Sequence, residues 1–237
     1  MEQLTFLTAI QHELYQAVIA DKRYVLYLTG LKNTVLITLL ALVIGVSIGL
    51  VIAVIKVMAD NKKNNVLLRI LNVIANVYTT VIRGTPVVVQ LIIINGAILV
   101  ALDNKIIVAG VAFGINSGAY VAEIFRAGIQ SVDKGQMEAG RSLGMPYFMT
   151  MSTIILPQAV KNILPTLVNE VIALLKETSV SGYVAIRDLT MAGNSIISRT
   201  YSITSMYVVA VIYLVLVLVL TMISKQIERR LARSDNR

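Results

Sequence analysis

The chain has 237 residues, a formal net charge of +8, and 57% hydrophobic against 14% charged residues. With a mean hydropathy of +0.78 and several charge-free runs, it is too apolar for a soluble globule of this length and reads as an all-α integral membrane protein. There is no cysteine and one histidine, His12, which excludes disulfides, thiolate metal sites and His-based zinc clusters.

The basic residues flank apolar runs, so they read as cytoplasmic anchors and not as a nucleic-acid surface. Residues 1–23 lack the positive start and apolar core of a cleaved signal peptide. Leu4, Leu7, Ile10, Leu14 and Val18 recur at helical spacing and predict an amphipathic helix on the membrane surface. His12 falls on its polar side. A first span is expected from about Tyr24 to Met58, ending in Lys56, with Lys62 and Lys63 in the turn that follows. Those lysines place the turn in the cytoplasm and the N-terminus outside. Gly45 and Gly49 form a small-xxx-small pair that admits a close helix neighbour.

A second span is expected from about Val66 to Val100, interrupted at Arg83-Gly84-Thr85-Pro86, where proline removes a backbone donor. Asn72, Asn76, Thr79 and Arg83 follow one another at four, three and four residues, with Gln90 seven further on, on one helical face. Such a stripe cannot face lipid cheaply; it either hydrogen-bonds to neighbouring helices or lines a translocation path. A third span, about Ile106 to Gly128, carries Gly110, Gly114, Gly118 and Ala122 every fourth residue. This groove suits close packing of another helix, from this chain or from a partner subunit. Glu123 and Arg126, three apart, are spaced to pair.

Residues 129–153 are polar and broken, and a fourth span is expected from about Ile154 to Thr178. Along one side it holds Gln158, Asn162, Pro165, Thr166, Asn169, Glu170 and Ala173. An ionisable group near mid-span marks a functional site; a buried salt bridge from Glu170 to Arg83 is the structural alternative, and the two are compatible. Residues 179–202 read as an outer segment with short helical turns. The last span, about Ile203 to Ser224, ends at Lys225, Arg229, Arg230 and Arg233. The expectation is five transmembrane helices with the N-terminus outside and the C-terminus cytoplasmic. The amphipathic segment is 1–23, the membrane domain 24–228 with a cytoplasmic loop at 129–153, and the basic tail 229–237. No Gly-rich phosphate loop ending in Lys-Ser or Lys-Thr, no HExxH and no nucleophile elbow is present, so the chain reads as non-catalytic.

Glu138-Ala139-Gly140, then Gly144, then Ile154-Ile155-Leu156-Pro157 resembles the EAA loop of binding-protein-dependent ABC importer permeases. The family pattern is EAA, three residues, Gly, nine residues, Ile-x-Leu-Pro. Gly140 stands where alanine is usual, which lowers helix propensity by about 1 kcal/mol. Arg83-Gly84-Thr85-Pro86 with Gln90, the run Asn116 to Arg126, Leu156-Pro157-Gln158-Ala159 and Leu174 to Ser179 resemble segments of the polar amino-acid branch of that family.

The resemblance implies a type I importer fold in the cytoplasmic membrane of a prokaryote. It implies a second permease subunit, identical or homologous, two cytoplasmic ABC ATPases and an extracytoplasmic amino-acid-binding protein. ATP and Mg would bind the ATPases, leaving this chain without a cofactor. Glu138, Ala139, Gly140, Arg141, Gly144, Leu156 and Pro157 would form the ATPase-coupling segment. Asn72, Asn76, Thr79, Arg83, Gln90, Thr166, Asn169 and Glu170 are the candidates for the path of a polar amino acid, Arg83 and Glu170 having the charges a zwitterion needs. An ion-gradient-driven secondary transporter or channel is the alternative; the broken helix fits it, whereas the EAA loop does not.

Overall fold

In a computed structural model the chain is helical almost throughout, over the described residues 2–61 and 64–235. Lys62 and Lys63, expected in the first cytoplasmic turn, lie outside them. The helices are α1 (Glu2–Leu14), α2 (Tyr24–Asn61), α3 (Val66–Gly84), α4 (Val87–Ile93), α5 (Lys105–Gln130), α6 (Lys134–Ser142), α7 (Tyr147–Thr150), α8 (Leu156–Glu177), α9 (Leu189–Thr200) and α10 (Thr204–Asp235).

Helix α2 is 38 residues long, roughly 57 Å at 1.5 Å per residue, well beyond a hydrocarbon core of about 30 Å. It does not end at Lys56 as expected, because no glycine or proline follows to stop it. Lys56 is instead buried within the helix and its Nζ donates to Thr79 Oγ1 at 3.2 Å. The expected second span is two helices. Asn65 caps α3 by accepting from the Leu68 N–H at 3.1 Å. Thr85, forced out of the helical region by the proline after it, is extended at φ −120° and ψ 145°. The chain re-enters a helix at Val87, which closes in a π-type turn at Ile94–Ile98.

Among the described residues four helices, α2, α3, α5 and α10, are long and apolar enough to cross a membrane, where five were expected. Helix α8 covers the expected fourth span with 22 residues, but Gln158, Lys161, Asn162, Asn169, Glu170 and Lys176 make it more polar than the others. The face of α10 is almost entirely exposed, whereas two-thirds of the apolar stretch of α5 is buried. Over these stretches α5 is thus largely covered by other helices and α10 largely bare.

The helices fall into two compact units. The first comprises Met1–Ala41, Pro86–Phe113 and Leu174–Val219. Its core joins Tyr27 of α2 to Leu189, Ala192 and Ile196 of α9 and Val209 of α10. Residues 179–202, expected as short turns, hold the regular helix α9, which starts at Asp188. That carboxylate is fully buried and accepts from the Thr190 and Met191 N–H groups at 3.0 and 3.1 Å. Burial pushes the Asp188 carboxyl up from its ordinary range, while those two N–H groups pull the other way. Helix α2 is pinned to the same corner: Asn33 Nδ2 donates to the Arg187 carbonyl at 2.9 Å, and Thr34 Oγ1 accepts from the Leu189 N–H at 3.2 Å. Helix α1 is tied on by Glu13, which accepts from the hydroxyls of Ser202 and Thr204 at 2.5 Å each.

The second unit comprises Leu42–Thr85, Gly114–Ala173 and Leu220–Arg237. Here α2 and α5 approach backbone to backbone. A Cβ on Gly45 would stand 2.9 Å from Ser117 Cβ, one on Gly49 2.5 Å from Val121 Cγ1, and one on Gly118 2.9 Å from Ile48 Cβ. In the first unit, Gly110 meets Leu40 of α2 at 2.8 Å in the same sense. Helix α2 of the same chain thus fills the α5 groove at both glycines, and Gly114 between them is buried. Gly49→Val is expected to lower the thermal unfolding temperature in detergent by roughly 5 °C through overpacking. Gly96→Ala is expected to leave it within about 1 °C, since nothing lies within 4 Å of a Cβ there.

Candidate functional site

A cavity of 530 Å³ opens within the second unit, a volume typical of small-molecule sites. Three helices build its polar lining. The last turn of α3 contributes Arg83; α5 contributes Tyr120 and Glu123; α8 contributes Asn162, Thr166, Asn169 and Glu170. The α8 residues fall at steps of four, three and one along the sequence, which puts them on one helical face. Ser131 reaches the same cavity, and Asn162 Nδ2 donates to its Oγ at 2.8 Å.

The charges are individually provided for. Arg83 does not pair with Glu170; among the described residues the ion pairs are Arg23–Asp21 and Arg126–Glu123. The Arg83 guanidinium instead lies over the ring of Tyr120, with Cζ 5.3 Å from its centre. Glu170 Oε1 accepts from the Ser117 hydroxyl at 2.7 Å. Glu123 pairs with Arg126 as its spacing predicts, and Arg126 also donates to Gln130 Oε1 at 2.6 Å. Arg83 is exposed and Glu123 and Glu170 are half-buried, and charges on membrane helices are tolerated where they face a polar cavity and not lipid.

Of the residues singled out from the sequence, Arg83, Thr166, Asn169 and Glu170 meet in this cavity. Asn72, Asn76, Thr79 and Gln90 do not line it. Thr79 is buried, accepts from Lys56 and donates to the Asn76 carbonyl at 3.1 Å. Gln90 is buried in the first unit, beyond the Thr85–Pro86 break. The break ends the continuous helical phase on which the expected stripe from Asn72 to Gln90 depended. Ser117 and Tyr120 emerge only from the structure, although both lie in the run Asn116 to Arg126 and are spaced three apart on one face of α5.

The polar stretch is ordered. Asp133 caps α6 by accepting from the Gly135 N–H at 2.6 Å. The helix ends in a Schellman motif: Met145 N–H donates to the Gly140 carbonyl at 3.1 Å and Gly144 N–H to the Arg141 carbonyl at 3.0 Å. Gly144 takes φ +84°, where a side chain would be strained. Pro146 then opens α7, which continues through a π-type turn at Met151–Ile155 into α8. That turn immediately precedes Pro157, where the helical ladder lacks a donor. The stretch is thus one short helix followed by the head of a long one.

Gly140 is buried where α6 crosses α7, and a Cβ there would stand 2.5 Å from Thr150 Cγ2. Glycine is therefore accommodating a close contact at this position, not merely loosening a helix. The outer side of the loop exposes Glu138 and Arg141 together with apolar Leu143, 83% exposed, and Phe148, 59% exposed.

Comparison with known proteins says which class of helical protein this is. The profile described as "Binding-protein-dependent transport system inner membrane component" matches residues 45–233. The chain is 40% identical over 212 residues to the arginine transport system permease protein ArtQ of Bacillus subtilis (strain 168), covering 88% of this chain and 93% of that one. It is 37% identical over 211 residues to the glutamine transport system permease protein GlnP of Escherichia coli (strain K12), covering 87% and 93%. A crystal structure of an amino acid ABC transporter with histidines matches with a TM-score of 0.79 at 42% identity, over 88% of this chain and 95% of that one. The chain belongs to the family of binding-protein-dependent transport system inner membrane components. It is a non-catalytic, multi-pass permease subunit of a bacterial ABC transporter, located in the inner membrane. That membership displaces the ion-gradient alternative.

Gly140→Ala is expected to disturb the α6–α7 crossing and lower substrate-stimulated ATP hydrolysis of the assembled transporter roughly threefold or more. Adding Thr150→Ser, which removes the opposing methyl group, is expected to restore most of it.

Proposed function

We propose that this chain carries a polar, neutral or cationic amino acid across the membrane by alternating access, with the amino acid resting in the 530 Å³ cavity. The observation that carries the reading is that Arg83 and Glu170 line this one cavity without being paired to each other. A zwitterion needs a guanidinium for its carboxylate and a carboxylate for its ammonium group, and these two residues have those charges. Asn162, Thr166, Asn169 and Ser131 supply neutral donors and acceptors for a polar side chain. Arginine, glutamine and histidine, named for the relatives and for the matching crystal structure, are the substrates to test first.

The transporter we envisage pairs two permeases, identical or homologous, above two ABC ATPases that hold ATP and Mg, with an extracytoplasmic binding protein delivering the amino acid. The distribution of basic residues supports five crossings, the fifth being the polar helix α8, with the N-terminus outside and the C-terminus inside. The segment from Glu138 to Pro157 then faces the cytoplasm. Its rigid Schellman turn and exposed Leu143 and Phe148 suit it to transmit motion from the ATPase to α8, with which it is continuous.

The test is uptake of radiolabelled L-arginine and L-glutamine by the complete transporter in proteoliposomes. Arg83→Ala and Glu170→Gln are each expected to lower uptake roughly tenfold or more. Wild-type rates in both variants would remove the cavity from the transport path.

A further inference from the structure

We infer that α5 is the orienting element of this cavity: Tyr120 and Ser117, one helical turn apart, are positioning residues that hold Arg83 and Glu170 in place for a ligand. The inference rests on the amino-acid reading of the cavity and adds what makes that cavity competent to bind. Arg83 is exposed and its side chain long, so its guanidinium meets a ligand in the right place only if it is held in one rotamer. Here each charge is given a different partner on the same helix face. The Arg83 guanidinium sits over Tyr120, with Cζ 5.3 Å from the ring centre, and Glu170 Oε1 takes the Ser117 proton at 2.7 Å.

Both partners are cheap in hydrogen-bonding capacity. A ring face attracts a cation without using its N–H donors, and a carboxylate has about four acceptor sites, of which one hydroxyl occupies one. The guanidinium and the carboxylate therefore stay charged, oriented and able to bind. The holders are themselves fixed. Ser117 is fully buried, and α2 stands so close that a Cβ on Gly45 would lie 2.9 Å from Ser117 Cβ. The α2 contact therefore fixes the side of α5 from which Ser117 and Tyr120 reach the two charges.

The experiment is equilibrium binding of radiolabelled L-arginine and L-glutamine to the detergent-purified permease–ATPase complex, without the binding protein. Tyr120→Leu is expected to weaken binding roughly tenfold, whereas Tyr120→Phe, which keeps the ring, stays within about twofold of wild type. In an Arg83→Ala background, adding Tyr120→Leu is expected to cost nothing further, because Tyr120 acts through Arg83. Ser117→Ala is expected to weaken binding, and Glu170→Gln to erase that difference. Tyr120→Met serves as a second ring-less variant should Tyr120→Leu fail to assemble. Equal losses for Tyr120→Leu and Tyr120→Phe, or effects of Tyr120→Leu and Arg83→Ala that multiply independently, overturn the inference and make Tyr120 a packing residue. Unchanged binding in both Arg83→Ala and Glu170→Gln would instead overturn the amino-acid reading of the cavity, so the two failures are distinguishable.

Discussion

The contact on which the rest of this structure depends is the near-touching of α2 and α5 at Gly45, Gly49 and Gly118. In a bilayer no hydrophobic effect drives helices together, so van der Waals contact between small residues has to do it. Glycine permits the backbones to meet, and the contact fixes the rotation of α5 about its own axis. Ser117, Val121 and Ala122 then face α2 or lie buried, while Tyr120 and Glu123 turn to the cavity. A rotation of α5 by one residue position, about 100°, would bury Tyr120 and aim Ser117 elsewhere. The chemistry of the cavity is thus set by a packing contact that itself carries no charge.

Each of the charges near that contact has a partner or a polar space to face. Lys56 is covered and hydrogen-bonded to Thr79; Glu123 is paired with Arg126; Arg83 and Glu170 face polar space. The exposed surface of α10 carries no comparable residues between Val208 and Leu220 apart from Tyr213. A membrane protein tolerates unpaired charge only along a route that water or substrate can enter. On the proposed reading the cavity is part of that route. In the proposed coupling segment a Schellman turn and a buried glycine contact hold α6 against the head of α8. Helix α8 bears four of the cavity residues, so a push on the loop acts on the lining without an intermediary.

Much of this was legible in the sequence. Charge-free runs longer than a bilayer core gave α2 and α10, shorter apolar stretches gave the spans that hold α3 and α5, and Pro86 gave the break, because these features are local. The spacing of Glu123 and Arg126 gave their pair for the same reason. The helix α9 was missed because its stability comes from burial against Tyr27 and Val209, although Asp188 ahead of Leu189-Thr190-Met191 is a readable cap. Gln90 was placed on the polar stripe by counting through a proline, and the broken helix does not preserve that count. The Arg83–Glu170 pair, weighed as the structural alternative, followed from charge alone. Its replacement by Tyr120 and Ser117 depends on which way α5 faces, which the α2 contact decides and no spacing reveals.

The central claim is that the cavity holds an amino acid by both of its α-charges. Competition against bound radiolabelled L-arginine or L-glutamine on the permease–ATPase complex tests it most directly. The competitors are the matching α-amide, which lacks the carboxylate, and the Nα-acetyl derivative, which lacks the ammonium charge. The account predicts that the unlabelled parent displaces the label while both derivatives fail at concentrations roughly tenfold higher. Displacement by either derivative as effectively as by the parent would contradict it.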